Sequence, residues 1–218
     1  MEAIDPAARV VKGKTLKGED FELPYDKLLM ATGASPIMPG LPGFDLPGVM
    51  ALKTLEDGRR IKQFIHDQNV KKAIIIGMGY IALEMCEALH DRDIRVEMVK
   101  PGPVFLPWMH EKLADMVKEE VASNGINMHL GHEVKEIEKT DQGLKVVCSD
   151  LVLEGPLVLV AIGVIPNSQL AEQAGLELGP KNAIAVDKSL FTSDPHIYAA
   201  GDCADAFHVV TDQRTWIP

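Results

Sequence analysis

The residues whose types and spacing carry the most chemistry are Gly77, Met78, Gly79, Tyr80, Ile81, Ala82 and Glu84. Two glycines one residue apart, with a small residue three places on, form a turn that backbone N–H groups can line. Gly77 permits the tight turn, Gly79 lets the backbone approach a phosphate, and Ala82 must be small for a helix to pack on a strand. Such a turn cradles the pyrophosphate of a dinucleotide, because a helix N-terminus offers unpaired N–H groups and a partial positive charge. Glu84 follows Tyr80 by one helical turn, so both side chains can face one site. The glycine pattern alone is weak evidence, and its setting makes it strong. Ile74, Ile75 and Ile76 run straight into Gly77, and Ile81, Leu83, Met85 and Leu89 continue into a segment with helical spacing.

A second position bears on which nucleotide is held. Residues 94–99 read as the next strand and run out into Lys100, where such folds usually place the acid that hydrogen-bonds the adenosine ribose. Glu97 lies too early, inside the strand. A cation at Lys100 attracts a 2′-phosphate that a carboxylate would repel, which favours acceptance of NADPH. The competing reading is a solvated lysine, with NADH held by other groups. Cys86, Cys148 and Cys203 are far apart and form no CxxC pair, so a disulfide framework, a cysteine zinc site and a nucleophilic thiol are all unexpected. His129 and His132 make an HxxH on strand-like sequence without further ligands, and no metal site is assigned to them.

These residues need a particular set of elements to position them. Residues 1–31 read as a small β-meander, with strands at 8–12 and 20–23 and turns at Gly13 and Gly18. Residues 25–36 read as one apolar strand ending in small residues, and the Pro- and Gly-rich residues 39–48 as a connector. A helix over 57–67, capped by Thr54 or Asp57, precedes the strand at 73–76 and the helix from Gly79 to His90. The strand at 94–99 should lie parallel and adjacent to it. An amphipathic helix over 111–123, with Leu113, Met116, Val117 and Val121 as its apolar positions, leads to a third parallel strand at 126–130. A shorter antiparallel meander over 132–153 follows, and the apolar run 157–163 should return to the parallel sheet. A short helix over 167–174 and strands at 183–186 and 197–199 complete the reading.

Composition narrows the function classes. The chain has 218 residues, 46% of them hydrophobic, and a net charge of −10 without a Lys/Arg-rich run. Extended nucleic-acid or anionic-membrane binding is therefore disfavoured, and phosphate recognition must come from backbone amides or single cations. No apolar run reaches the roughly 18 residues of a membrane span, and the N-terminus lacks secretory features. The chain reads as soluble and cytoplasmic.

Ala31-Thr32-Gly33, then Gly77 to Glu84, then Val160-Ala161-Ile162-Gly163, and finally Ala200-Gly201-Asp202 stand in a telling order. It resembles the flavin- and pyridine-nucleotide-dependent disulfide oxidoreductases over essentially the whole chain. The nearest branch holds coenzyme A disulfide reductases, NADH oxidases and NADH peroxidases, where a Tyr commonly follows the second glycine. The resemblance implies an α/β fold: a three-layer Rossmann-like NAD(P)-binding domain with a β-meander at residues 50–165. Incomplete pieces of a second, FAD-binding domain would flank it at residues 1–49 and 166–218. It also implies that Tyr80 covers the flavin face until nicotinamide displaces it, that Ile81 lines the nucleotide site, and that Glu84 lies near the nicotinamide–flavin junction. Ile162 and Gly163 would bring backbone against the nucleotide. The plainer alternatives are a packed aromatic, an exposed helix carboxylate and a bare strand end. Thr32, Gly33 and Asp202 would belong to flavin, with Gly201 allowing close approach.

The implied activity passes hydride from NAD(P)H to FAD and on to a disulfide, polysulfide, peroxide or oxygen. Family members carry a flavin-phosphate motif and a redox cysteine ahead of this region, and a dimerisation domain behind it. The chain is therefore expected to be a central portion of a homodimeric parent, binding NAD(P)H without retaining FAD or completing turnover. A short-chain dehydrogenase is excluded, because Tyr25, Tyr80 and Tyr198 are followed four residues on by Leu29, Glu84 and Asp202 rather than by Lys. A non-catalytic nucleotide-sensing module is the other reading.

Overall fold

The computed structural model describes residues 1–218 and divides into two compact units, Met1–Ser35 with Val164–Pro218 (unit 1) and Pro36–Gly163 (unit 2). Unit 1 opens with an antiparallel meander of β1 (Ala3–Asp5), β2 (Val10–Lys14) and β3 (Asp20–Pro24). Gly13, expected in a turn, instead pairs with Phe21 inside the ladder, and the turn falls at Gly18. The apolar run beyond it is two strands rather than one, β4 (Leu28–Met30) and β5 (Ala34–Pro36). Gly33 lies between them at φ +70°, which no extended strand can hold.

Unit 2 is built on a five-stranded parallel sheet. In chain order its first elements are β6 (Val49–Ala51), α1 (Leu55–Asp67), β7 (Lys72–Ile76), α2 (Tyr80–His90), β8 (Arg95–Lys100), α3 (Glu111–Ser123) and β9 (Asn127–Leu130). A meander follows, β10 (Val134–Thr140), β11 (Gly143–Cys148) and β12 (Val152–Gly155), and then β13 (Leu157–Val160) returns to the sheet. The parallel order is β6-β13-β7-β8-β9. The edge strand β6 has no counterpart in the sequence reading, because three residues behind a Pro/Gly-rich connector carry too short a pattern.

Side chains along the sheet alternate strictly between two cores. Ala73, Ile75, Val96, Met98, Leu157 and Leu159 pack with Ile61 of α1, Ala82, Cys86 and Leu89 of α2, and Ala114 of α3. Ile74, Ile76, Val99, Val158 and Val160 pack with Ile137, Val146 and Leu153 of the meander. The period of two therefore produces three layers: helices, sheet, meander. Each fully buried Ile or Leu contributes about 1.5–3 kcal/mol of transfer free energy to holding them together. α1 starts on a capping box: the Thr54 hydroxyl accepts from Asp57 N–H at 3.1 Å, and the Asp57 carboxylate accepts from Thr54 N–H at 2.9 Å. α3 matches its expected span, but its inward stripe is Ala114, Val117 and Val121. Leu113 and Met116, expected on that stripe, are 54% and 65% exposed, one helical step of about 100° away.

The chain then returns to unit 1 with β14 (Val164–Pro166), which pairs with β5, and the short helix α4 (Gln169–Gln173). β15 (Ile197–Ala199) lies parallel to β4, and a small hairpin follows, β16 (Ala206–Phe207) with β17 (Arg214–Thr215). Residues 183–186 form no strand, only bridges from Ile184 to Leu178 and to Ala204. The buried Asp205 carboxylate takes the Val186 N–H at 2.9 Å, so a side chain supplies what a ladder partner otherwise would. Asp205 is itself held by Arg214 at 3.0 Å. The core of this unit gathers Ile4, Met30, Ile184, Val186, Ile197 and Cys203. No helix of either unit is long and apolar enough to cross a membrane.

Candidate nucleotide-binding site

In unit 2 the glycine turn sits at the carboxyl edge of the sheet, between the end of β7 and the start of α2. Its two glycines do different work. Gly77 has φ +116°, and a Cβ placed there would lie 2.1 Å from the Ala161 carbonyl oxygen. The chain leaving β13 crosses the turn at this point, with Ala161 N–H donating to Ile76 O at 2.8 Å and Gly77 N–H to Val99 O at 2.8 Å. Gly79, the N-cap of α2, meets nothing within 4 Å of its ideal Cβ position, and no side chain caps the helix. The first N–H groups of α2 therefore face open space without intrahelical partners. Ala82 is fully buried against the sheet, and Met78 is buried beside it in the helix-side core. A backbone turn with open space beside Gly79 fits an anion such as a pyrophosphate.

Around that mouth, Tyr80, Ile81, Glu84, Ile162 and Gly163 are all exposed. Ile162 and Gly163 lie just beyond β13, whose strand ends at Val160 rather than running on through the apolar stretch. Lys100 is the last residue of β8, and its ammonium donates to Val104 O at 2.9 Å, leaving two donors outside that bond. Glu97 points to the meander face, where its carboxylate meets Lys72 Nζ at 2.8 Å and His129 Nε2 at 3.2 Å. Burial pushes that carboxyl up, and Lys72 and His129 together outweigh it and hold it below the ordinary glutamate range. Glu97 therefore belongs to a structural ion cluster. His132 pairs with Asp150 at 2.6 Å, and no group of three or more His, Cys, Asp or Glu side chains is placed to hold a metal ion.

Sequence reasoning passed over Trp108. It stands in the connection from β8 to α3, donates its indole N–H to the Tyr80 hydroxyl at 2.8 Å, and tilts over that ring at a centroid distance of 5.4 Å. A lone tryptophan in a Pro- and Gly-rich stretch was the only available signal. A cavity of about 500 Å³ lies instead at the start of α1, lined by Leu52, Lys53, Thr54, Leu55, Gly58, Arg59 and Lys62. It includes none of the glycine-turn residues.

Unit 1 holds a second set of candidate residues. β4 and β15 are adjacent and parallel, so Thr32 and Gly33 after one stand beside Gly201 and Asp202 after the other. Ala200 N–H donates to Met30 O at 3.0 Å across the pair. Gly33 and Gly201 have φ +70° and +78°, and neither meets an atom within 4 Å of its ideal Cβ position. This edge can receive a flat ligand against bare backbone. Asn167, read only as the start of a helix, ties the first of these loops. Its amide donates to Thr32 O at 2.9 Å, its side-chain oxygen accepts from Ser35 Oγ at 2.7 Å, and its backbone N–H donates to Gly33 O at 2.9 Å. Cys203, next to Asp202, is fully buried, with its Sγ directed at Met30 O and Ala200 O. Burial raises the thiols of Cys86, to about 11, and of Cys148.

Residues 1–215 match the family described as pyridine nucleotide-disulphide oxidoreductase. The NADH oxidase of Methanocaldococcus jannaschii is 35% identical over 216 residues, covering 99% of this chain and 48% of that protein. The CoA-dependent NAD(P)H sulfur oxidoreductase of Pyrococcus furiosus is 35% identical over 202 residues, covering 92% of this chain and 46% of that protein. The crystal structure of reduced Bacillus anthracis CoADR-RHD superposes with a TM-score of 0.94 at 32% identity, covering 99% of this chain and 39% of that one. The chain thus spans about half the length of the curated relatives it matches. With an α/β parallel sheet, a glycine turn at its carboxyl edge and a family match over residues 1–215, the chain belongs to the pyridine nucleotide-disulphide oxidoreductase family.

Proposed function

We propose that the chain supplies the NAD(P)H site, and part of the FAD site, of an oxidoreductase. Its reaction carries hydride from NAD(P)H to FAD and on to a disulfide, polysulfide, peroxide or oxygen acceptor. When bound, the two cofactors supply the redox chemistry, and the protein supplies orientation and electrostatics. The observation that carries the reading is the contrast inside the glycine turn: Gly77 is closed by Ala161, and Gly79 is open. A structural turn needs the first feature alone. The backbone N–H groups at Gly79, Tyr80 and Ile81 hold the pyrophosphate, and Ala82 lets α2 approach the sheet closely enough to aim them. Ile162 and Gly163 offer backbone to the nicotinamide half, and Glu84 faces the same mouth from one turn into α2. Thr32, Gly33, Gly201 and Asp202 contact the flavin.

In unit 1 the longest α-helix is α4, with five residues, and no helix N-terminus follows β4 or β15. The 218-residue chain therefore binds nicotinamide nucleotide without retaining flavin tightly. Calorimetric titration with NADH and NADPH, beside a visible absorption spectrum of the purified chain, tests both halves. No nucleotide binding, or a tightly held flavin chromophore, would sink the corresponding half.

Lys100 sets the preference between nucleotides. Its ammonium stands at the end of β8 with donors left for a 2′-phosphate, so NADPH is accepted. Lys100→Glu should weaken NADPH about tenfold or more, as expected for loss of a charge-assisted contact, and leave NADH within about twofold. An equal loss for both nucleotides, or none, removes the argument.

A further inference from the structure

Gly58 stands inside α1, as its fourth residue, where neither the fold nor the nucleotide reading needs a glycine. A Cβ there would meet Leu52 Cδ1 alone, at an ordinary contact distance of 3.8 Å, so alanine would fit. Glycine inside a helix is less stable than alanine. What Gly58 supplies is space. It lines both the cavity of about 500 Å³ at the start of α1 and a second one of about 180 Å³ beside it. Leu52 and Lys62 also line both, so the two cavities form one groove between α1 and α2.

The groove is apolar along its length and basic at one end. Ile65 of α1 and Met85 of α2 wall it, over a floor that includes the buried Ile61. Lys53, Arg59 and Lys62 line the larger cavity, and no carboxylate lines either one, in a chain of net charge −10. Arg59 meets Glu56 at 3.5 Å in an exposed pair, which is worth little. At the other end, the Arg92 guanidinium donates to Ala88 O at 2.6 Å, so the residue adds its aliphatic stem to the wall. The N-terminus of α1 is already occupied by its capping box, so attraction for an anion comes from these side chains. A mostly apolar cavity of several hundred Å³ with a few convergent polar groups is the usual form of a small-molecule site.

We propose that this groove binds a single-chain fatty carboxylate. The carboxylate lies between Arg59 and Lys62, and the alkyl chain runs between the helices toward Ile65 and Met85. The stretch of α1 from Leu55 to Ile65 gives it a track of about 15 Å. Neither cavity includes a glycine-turn residue, so the site is separate from the nucleotide reading. A methylene in a groove open on one side gains about half the free energy of full burial, or about twofold in affinity.

The test is calorimetric titration of hexanoate, octanoate, decanoate and 1-decanol into the 218-residue chain, G58L, and a variant carrying both R59Q and K62Q. Affinity should rise about twofold per methylene from hexanoate to decanoate, and decanol should bind about tenfold more weakly than decanoate. G58L fills the groove and should lose decanoate about tenfold or more. Its thermal midpoint should not fall, since leucine suits a helix better than glycine. The double glutamine variant should bind decanoate no better than decanol and leave decanol unchanged. Affinity indifferent to chain length, decanol bound as tightly as decanoate, or G58L binding like the unaltered chain overturns the proposal. Self-association of the unaltered chain that G58L abolishes would give the groove to a second copy and overturn it too. Displacement of decanoate by NADH would move the ligand to the glycine turn, with the same consequence.

Discussion

Gly77 and Gly33 invite comparison, because each follows a strand of a parallel pair and each has positive φ, +116° and +70°. A methyl group on Gly77 would collide with Ala161 O, whereas one on Gly33 would meet nothing within 4 Å. The first glycine lets one strand exit cross another, and the second keeps a surface bare. Gly79 and Gly201 side with Gly33 in having open space beyond them. Motif glycines in this chain thus divide into those that close the fold and those that leave room for a ligand. The helix makes the other difference: α2 adds a row of N–H donors to the edge in unit 2, and the edge in unit 1 has loops alone.

Substitutions that separate stability from binding test this division. The largest effect is expected at Gly77→Ala, where strained backbone and a backbone collision act together. It should cost about 3 kcal/mol or more, visible as a depressed thermal midpoint. A normally folding variant would erase the distinction. Asn167→Ala comes next, because it removes the amide bond to Thr32 O and the acceptor for Ser35. Each such bond contributes about 1 kcal/mol net, so a loss of about 1–2 kcal/mol in denaturant unfolding is expected, with little change in NADH affinity. Gly79→Ala should alter stability by no more than about 0.5 kcal/mol, since its φ of −91° suits any residue. If the proposed pyrophosphate site is right, the same variant should lose about tenfold in NADH affinity, because the methyl group fills the space assigned to phosphate. Loss of stability in place of affinity would put Gly79 with Gly77.

The smallest effect is a pH dependence. Glu97 has a folded pKa held below its unfolded value, so its stabilisation is fully present above the unfolded glutamate value. It is lost as pH falls through the lower folded one. Lys72→Met should bring the Glu97 titration, followed by NMR, back up and shrink that acid-side loss. Unchanged titration would mean that Lys72 contributes nothing.

What could be read from the residues alone follows the length of each pattern. α3 runs over 111–123 in both readings, and β7, β8 and β9 are parallel neighbours as expected, because these segments carry long apolar periods with clear glycine or turn boundaries. The glycine turn was legible for the same reason. Short elements were not: β6 is three residues long, and the gap between β4 and β5 depends on one backbone angle. Residues 183–186 looked like a strand because they are apolar, yet their hydrogen bonds go partly to Asp205, a side-chain partner no local pattern announces. Trp108 and Asn167 escaped notice for a related reason. Each acts on a residue distant in sequence, Tyr80 and Thr32, and only the folded chain brings them together.

The discontinuity of unit 1 also sets an order of assembly on the ribosome. Unit 2 is one unbroken stretch, and at its boundary Ile37 N–H donates to Gly163 O at 3.0 Å. Everything its glycine turn needs has been synthesised once residue 163 emerges. β4 must wait for β15, whose partnering residues come more than a whole unit later. Domains that complete first during synthesis generally fold first, and pairings between distant segments form slowly. The edge in unit 2 should accordingly be competent for nucleotide while Thr32 and Gly33 are still without Gly201 and Asp202 beside them. On the proposed function, a nascent chain stalled shortly after unit 2 would then bind nucleotide before its second edge is complete.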